Sequence, residues 1–233
     1  MGLRYRRLNR EQSRKKAQWD PSRDPTFFER RGEMSLFLDA ANAWNQLLNK
    51  SYNIIIGHIH ESRTIDLSFQ VADFDHLSGI QHATDVDFKL PRKQYRGNKL
   101  IPALINLKLD STLIEKSENW QSISQRLEAI IQLENILDSD FRIYSFDPHK
   151  LSFHTTIKAA YCIFSEDHQS GVFLFIDKED KRFFCKSIFQ KDNRNFISNQ
   201  TPWTVLKKTK CVNGTFLNLY THKSYKELLS ELK

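Results

Sequence analysis

A chain of 233 residues that is 39% hydrophobic and 12% aromatic can bury a core of its own, which excludes global disorder. Its seven Gly and six Pro exclude a collagen-like or low-complexity chain. The net charge of +7 is lopsided. Residues 1–32 carry a surplus of six positive charges, from Arg4, Arg6, Arg7, Arg10, Arg14, Lys15, Lys16, Arg23, Arg30 and Arg31 against Glu11, Asp20, Asp24 and Glu29, so the rest is nearly neutral and a polyanion is the natural partner of the leading segment.

In chain order, residues 1–32 lack hydrophobic periodicity and read as a basic arm, with WDPSRDP as a break. A single domain over residues 33–233 follows. Met34, Phe37, Leu38, Ala41, Trp44, Leu47 and Leu48 recur in steps of three and four, which predicts an amphipathic helix. YNIIIGHI at 52–59 and the alternating Ile65, Leu67 and Phe69 predict a hairpin turning near residues 60–62. Phe74, Leu77 and Ile80 share one face of a short helix interrupted by Gly79. Trp120, Ile123, Leu127, Ile130, Ile131, Leu133 and Leu137 form the stripe of a long one. Beyond Ser139 the pattern changes to strands at 141–146, 155–164, 172–176, 182–189, 203–208 and 215–220, and residues 224–232 close the chain as a helix. Helices followed by strands predict an α+β fold, with N-terminal helices packed on an antiparallel meander.

Cys162, Cys185 and Cys211 are odd in number, widely spaced and without the ligand spacing of a zinc site, so they read as reduced thiols and no metal or other cofactor is expected. The basic start has no apolar run after it, and no stretch of about 18 apolar residues occurs. A cytoplasmic protein without a membrane partner is the expectation.

The chemistry concentrates in two expected strands. Lys158 interrupts 155–164, on the face of Thr156, Ala160, Cys162 and Phe164. Lys186 interrupts 182–189, on the face of Phe184 and Ile188, while Cys185, Ser187 and Phe189 point the other way. A cation half-buried among Phe side chains is costly unless an anion meets it, and a phosphate is such an anion. Ser187, Gln200 and Thr201 lie near Lys186 in sequence, as do Lys191 and Arg194 of the following loop. His76, in DHLSG, is the candidate proton shuttle. Together these groups suit RNA cleavage without a metal: a base takes the 2′-hydroxyl proton, an acid protonates the 5′-oxygen and cations hold the charged phosphorane. Phosphate-loop, dinucleotide-binding, zincin and nucleophile-elbow motifs do not occur. A lone strand Lys also serves as an edge or snorkelling residue, and a lone helical His as a solvated one.

Three segments, FQVADFDHLSGI (69–80), TTIKAAYCIFS (155–165) and FFCKSIFQKDNRNFISNQTPWTVLKKTK (183–210), together resemble the phage Barnase–EndoU–colicin–RelE-like nucleases, in their fourth subfamily. The similarity spans roughly residues 35–220. It implies a RelE/Barnase/EndoU-like fold of N-terminal helices and a four-stranded antiparallel sheet. It also implies a metal-independent endoribonuclease carried on phages and mobile elements and acting as a toxin or effector, with an antitoxin or immunity protein as partner. The family blocks fall on His76, on Lys158, on Cys185, Lys186, Ser187, Ile188 and Phe189, and on Asn199, Gln200, Thr201 and Trp203. Two positions depart from the pattern. Lys186 stands where Arg is expected, which keeps the charge but loses the two-pronged grip on phosphate, and Ile188 stands where Phe is expected.

The resulting assignment makes His76, Lys158, Lys186, Ser187 and Thr201 catalytic. It gives RNA binding to Arg4, Arg6, Arg7, Arg10, Lys191, Arg194, Gln200 and Trp203. The RNA is a tRNA or an mRNA. The competing readings are a module that binds nucleic acid without cutting it, for which a basic arm and a Phe-rich sheet suffice, and a protein-interaction domain whose arm docks on an acidic partner.

Overall fold

The computed structural model describes residues 35–86, 94–106, 108–109, 111–166 and 171–231; the expected basic arm, with Arg4, Arg6, Arg7 and Arg10, lies outside them. Helix α1 (Leu36–Leu47) starts where the Ser35 hydroxyl accepts from the Leu38 N–H at 3.3 Å, an N-cap that satisfies one of the helix's orphan donors. Phe37, Ala40, Ala41, Trp44 and Leu47 are its buried stripe, as the sequence spacing requires. The hairpin follows as β1 (Lys50–His58) and β2 (Glu61–Ser68), antiparallel and in continuous register.

Four short helices come next: α2 (Val71–Leu77), α3 (Leu100–Ile105), α4 (Trp120–Ile131) and α5 (Leu133–Asp138). The expected long helix is thus two pieces that meet at Gln132. The remaining strands are β3 (Arg142–Ser145), β4 (Tyr161–Ser165), β5 (Val172–Glu179), β6 (Arg182–Gln190), β7 (Thr201–Val212) and β8 (Thr215–Thr221), and α6 (Lys223–Glu231) ends the described chain.

The α+β character stands, but the open meander is corrected. Strands β3 to β6 do follow one another in space, yet β7 returns to pair with both β3 and β1, and β2 meets β6 in parallel at Leu67–Phe183. Seven strands therefore close into a ring in the order β1-β2-β6-β5-β4-β3-β7, with β8 attached to β7. Closure removes exposed edges that would otherwise invite pairing with other chains. The main core holds the inward residues Ile54, Ile56, Ile65, Leu67, Ile163, Leu174 and Ile176 together with the buried faces of α1 to α5. Each such fully buried side chain contributes about 1.5–3 kcal/mol. A second cluster, Phe146, Cys162, Phe164, Phe173, Phe175, Phe189 and Phe196, lies on the opposite face of β4–β6.

Residues 155–160, expected as the first half of a strand, are outside the ladder; β4 begins at Tyr161. Along residues 151–159 half-buried and exposed positions alternate, and Leu151, Phe153, Ile157 and Ala159 pack on the second cluster. The period of two belongs to an extended strap lying over the Phe side chains, whose intervening residues face solvent.

Candidate functional site

Helix α2 carries His76. The Asp73 carboxylate accepts from the Gln70 N–H at 3.0 Å and so closes the first turn. The same carboxylate takes the Arg182 guanidinium at 2.7 Å, which ties the helix to the start of β6. Phe74 and Leu77 are buried while His76 between them is exposed. Gly79 ends the helix at φ +76, a left-handed conformation that glycine adopts without a Cβ penalty. Its missing side chain has a second consequence: a Cβ there would stand 2.7 Å from Cδ of Arg126. Glycine opens the channel through which that arginine passes.

Arg126 is the residue the sequence reading missed. It lies on α4, three residues after Ile123 and four before Ile130, both buried. A charged residue on the apolar stripe was the available signal. The guanidinium donates to the Ser187 hydroxyl at 3.3 Å and lies 5.8 Å over the Phe189 ring, whereas its Nε is buried and unpartnered. Burial, followed by the charge of Arg194, pulls its pKa below the ordinary arginine value. Among the described residues its partners are a hydroxyl and an aromatic face rather than a carboxylate.

Lys186 and Ser187 occupy a β-bulge. Ile176 pairs with Cys185 and Phe175 with Ser187, so Lys186 is the extra residue. Bulges redirect side chains and recur beside functional sites. The expected facing is corrected accordingly: Phe183, Cys185 and Ile188 enter the main core, while Phe189 joins the second cluster. The Lys186 ammonium is half-buried, 3.6 Å from the Asp177 carboxylate and 5.4 Å from the Phe184 ring.

These groups meet His76. Partial burial, then the positive charges of Lys186 and Arg126, hold the imidazole below its ordinary pKa, with Asp75 opposing. The ring is therefore neutral at physiological pH and able to accept a proton. Together α2, α4 and β6 hold an exposed imidazole in the field of two cations, with the buried Ser187 hydroxyl behind them. Arg194, in the loop after β6, lies 5.6 Å over Phe189 and 5.1 Å over Phe196, with its Nε on Asp192 at 2.9 Å, so it borders the group. Lys191 is exposed and lies 5.6 Å over Phe164. Among the described residues no three His, Cys, Asp or Glu side chains converge as a metal cage requires. Burial pushes the Cys162 and Cys185 thiols far above the usual range, which leaves them inert.

The other expected site residues lie elsewhere. Lys158 is an exposed residue of the strap, away from Cys162 and Phe164 in facing. Thr201 opens β7 opposite Ser145, and β7 is separated from β6 by at least two strands either way around the ring. Gln200 is structural: it accepts from the Asp147 N–H at 2.7 Å and donates to the Asp147 carbonyl at 3.0 Å. Trp203 is buried, donates to the Ser145 hydroxyl at 2.8 Å and is covered by Arg63 at 4.8 Å. His76 lies in the field of Lys186, the neighbour of Ser187 on β6, whereas Lys158, Thr201, Gln200 and Trp203 sit on the strap, on β7 and just before it.

A family model described as phage-Barnase-EndoU-ColicinE5/D-RelE like nuclease 4 matches residues 36–223, from the first residue of α1 to the start of α6. Neither the curated proteins nor the solved structures contain a match.

Proposed function

The chain belongs to this nuclease family, and from that premise we propose that it is an endoribonuclease whose reaction runs between α2, α4 and β6. The observation that carries the reading is the neutral His76 imidazole lying in the field of two cations, one of them a half-buried guanidinium whose buried Nε has no partner among the described residues. In the reaction, His76 takes the proton of a ribose 2′-hydroxyl and the freed oxygen attacks the adjacent phosphorus. Arg126 and Lys186 neutralise the phosphorane, and Ser187, held by Arg126, orients a phosphate oxygen. The P–O5′ bond breaks as the leaving oxygen takes a proton from the Lys186 ammonium. The products are a 2′,3′-cyclic phosphate and a 5′-hydroxyl.

A cell that makes such an enzyme needs it restrained, so an antitoxin or immunity protein suits a toxin or mobile-element effector of this kind. No helix among the described residues is long and apolar enough to cross a membrane.

The test is cleavage of RNA by the purified chain in EDTA, with the ends identified. Cyclic phosphate ends are expected, with a loss of about 10²–10⁴ in rate for His76→Ala. Full activity of that variant, or strict dependence on added metal, refutes the mechanism. RNA bound in a salt-sensitive manner and recovered intact would establish the non-catalytic reading, for which the partial neutralisation of Lys186 by Asp177 is the supporting feature.

A further inference from the structure

Opposite in facing to the barrel interior, the outer surface of β1, β2 and β7 carries a groove of about 650 Å³ with no part in the chemistry above. Asn53, Asp66, Lys181, Lys207, Thr209 and Phe216 line it. Strand periodicity explains the composition. On β7, Lys208 and Lys210 point inward and are buried, whereas Lys207 and Thr209 face outward. On β1, Tyr52 and Ile54 are buried and Asn53 is not. The groove floor is therefore polar, in contrast with the apolar interior one residue away.

Three features point to one class of occupant. Phe216 is 73% exposed, a cost that a free sheet surface does not require and that a stacked base would offset. Lys207 and Lys181 line the groove, and among the described residues Asp66 is the only acid that does. The Asp66 carboxylate takes the Asn53 amide at 2.6 Å, which fixes an acceptor at the floor as base-edge reading requires. The groove also connects to the reaction centre. Arg182 forms part of its wall, pairs with Asp73 of the helix that bears His76, and precedes Lys186 by four residues of β6, on the order of 13 Å of strand.

Resting on the ribonuclease reading above, we propose that this groove is the subsite for a single-stranded segment flanking the scissile phosphate. One base stacks on Phe216, the phosphates follow Lys181 and Lys207, and Asp66 accepts from an exocyclic amino group, so that a cytosine is preferred to a uracil. The site contributes affinity and placement rather than chemistry, and it supplies a discrimination the cation cluster alone lacks.

The probes are fluorescein-labelled 2′-O-methyl oligocytidylate and oligouridylate, which lack the attacking hydroxyl and so report binding whether or not the chain cleaves RNA. Binding is measured by anisotropy across a salt series, with circular dichroism verifying the fold of each variant. Phe216→Ala is expected to weaken oligocytidylate about tenfold, the loss of one stacked base. Lys181→Ala with Lys207→Ala is expected to flatten the salt slope by about two. Asp66→Asn is expected to erase the preference for cytosine. Unchanged affinity and salt slope in the groove variants, or no binding of either probe by the parent chain, overturns the proposal. Weakened binding in the groove variants when the parent chain cleaves no RNA supports the groove and refutes only the reaction centre, and intact cleavage with unaltered groove-variant binding overturns only the groove.

Discussion

Two regions of this molecule gather cations at the ends of helices and strands, and they differ in one of those cations, Arg126. Beneath α5, Lys50 meets both oxygens of Glu134 at 2.6 Å, and Lys210 meets Glu134 at 2.7 Å and Asp138 at 2.6 Å. Tyr52 donates to Asp138 at 2.7 Å. Lys208, whose pKa burial lowers, donates to the carbonyls of Asp138 and Ser139 at the end of the helix. Every cation there has its anion or its carbonyl. Between α2, α4 and β6, Arg126 has a hydroxyl, an aromatic face and an unpartnered Nε. The difference separates charges that hold the fold from one that could serve a ligand: a paired cation fastens an element, and one without a carboxylate in a half-buried place is where the proposed reaction would seat its phosphate.

The largest expected effect tests that division directly. Arg126→Ala removes a preorganised donor from the reaction centre and is expected to lower kcat by about 10²–10³, with the thermal midpoint unchanged or raised because an uncompensated charge leaves the interior. Glu134→Ala is expected to do the reverse. It strands Lys50, leaves Lys210 with Asp138 alone, and costs about 3 kcal/mol in urea unfolding, the low end for a broken buried pair since Glu134 keeps some exposure and Lys210 keeps one anion, while kcat holds. If Arg126→Ala unfolds the chain, or Glu134→Ala abolishes cleavage of the folded protein, the two regions are not separate in role.

Acid sharpens the same contrast. At Glu134, burial works to raise the pKa, and the hydrogen bonds and charges of Lys210 and Lys50 outweigh it, so the folded value lies below the ordinary one. A depressed carboxylate contributes stability that is present above its unfolded value and lost as pH falls through the folded one; a denaturant titration from pH 6 downward is expected to show that loss, and Glu134→Gln to lack it. At His76 the sign concerns activity. Its lowered pKa keeps the base deprotonated to more acidic pH than an ordinary histidine, and Lys186→Ala, by removing one repelling charge, is expected to move the acid limb of the kcat profile upward. A limb that stays in place would separate His76 from Lys186.

How much of this was legible can be traced residue by residue. His76 and Lys186 stood out because a proton shuttle beside glycine and a cation among Phe residues are local patterns, and both belong to the proposed centre. Arg126 did not, because a stripe containing Ile123, Leu127 and Ile130 reads as core, and only the neighbouring helix and strand reveal that its charge emerges at Ser187. The bulge at Lys186 is invisible in sequence, since it is defined by the pairing of β5 with β6. Ring closure rests on a single parallel bridge between Leu67 and Phe183 and on the double pairing of β7 with β1 and β3, contacts far apart in sequence that no local periodicity encodes. The alternation at 151–160 was real but ambiguous, because an extended strap on a Phe cluster has the same period as a strand.

Gly79 offers a smaller and more specific break. Gly79→Ala is expected to cost about 1–2 kcal/mol for the left-handed backbone and to displace Arg126, whose Cδ occupies the space of the new methyl. Cleavage then falls by a larger factor than the stability change accounts for. An activity loss that disappears when assayed under conditions where the variant is fully folded would mean that Arg126 has another route to the centre.

The smallest effect is expected at Lys158. Its ammonium is exposed on the strap, and the strap is attached through Ile157 and Ala159, the residues on either side. Lys158→Ala should therefore leave the fold intact and change kcat by no more than about twofold, with any loss confined to KM and fading as salt screens it. The same substitution at Lys186, a residue equally basic but set in the bulge beside His76, is expected to act on kcat. Should Lys158→Ala instead lower kcat as far as Lys186→Ala does, at high salt and saturating RNA, the strap would have to close over the centre during the reaction. The boundary between cations that fasten, cations that react and cations that merely face solvent would then need to be redrawn around it.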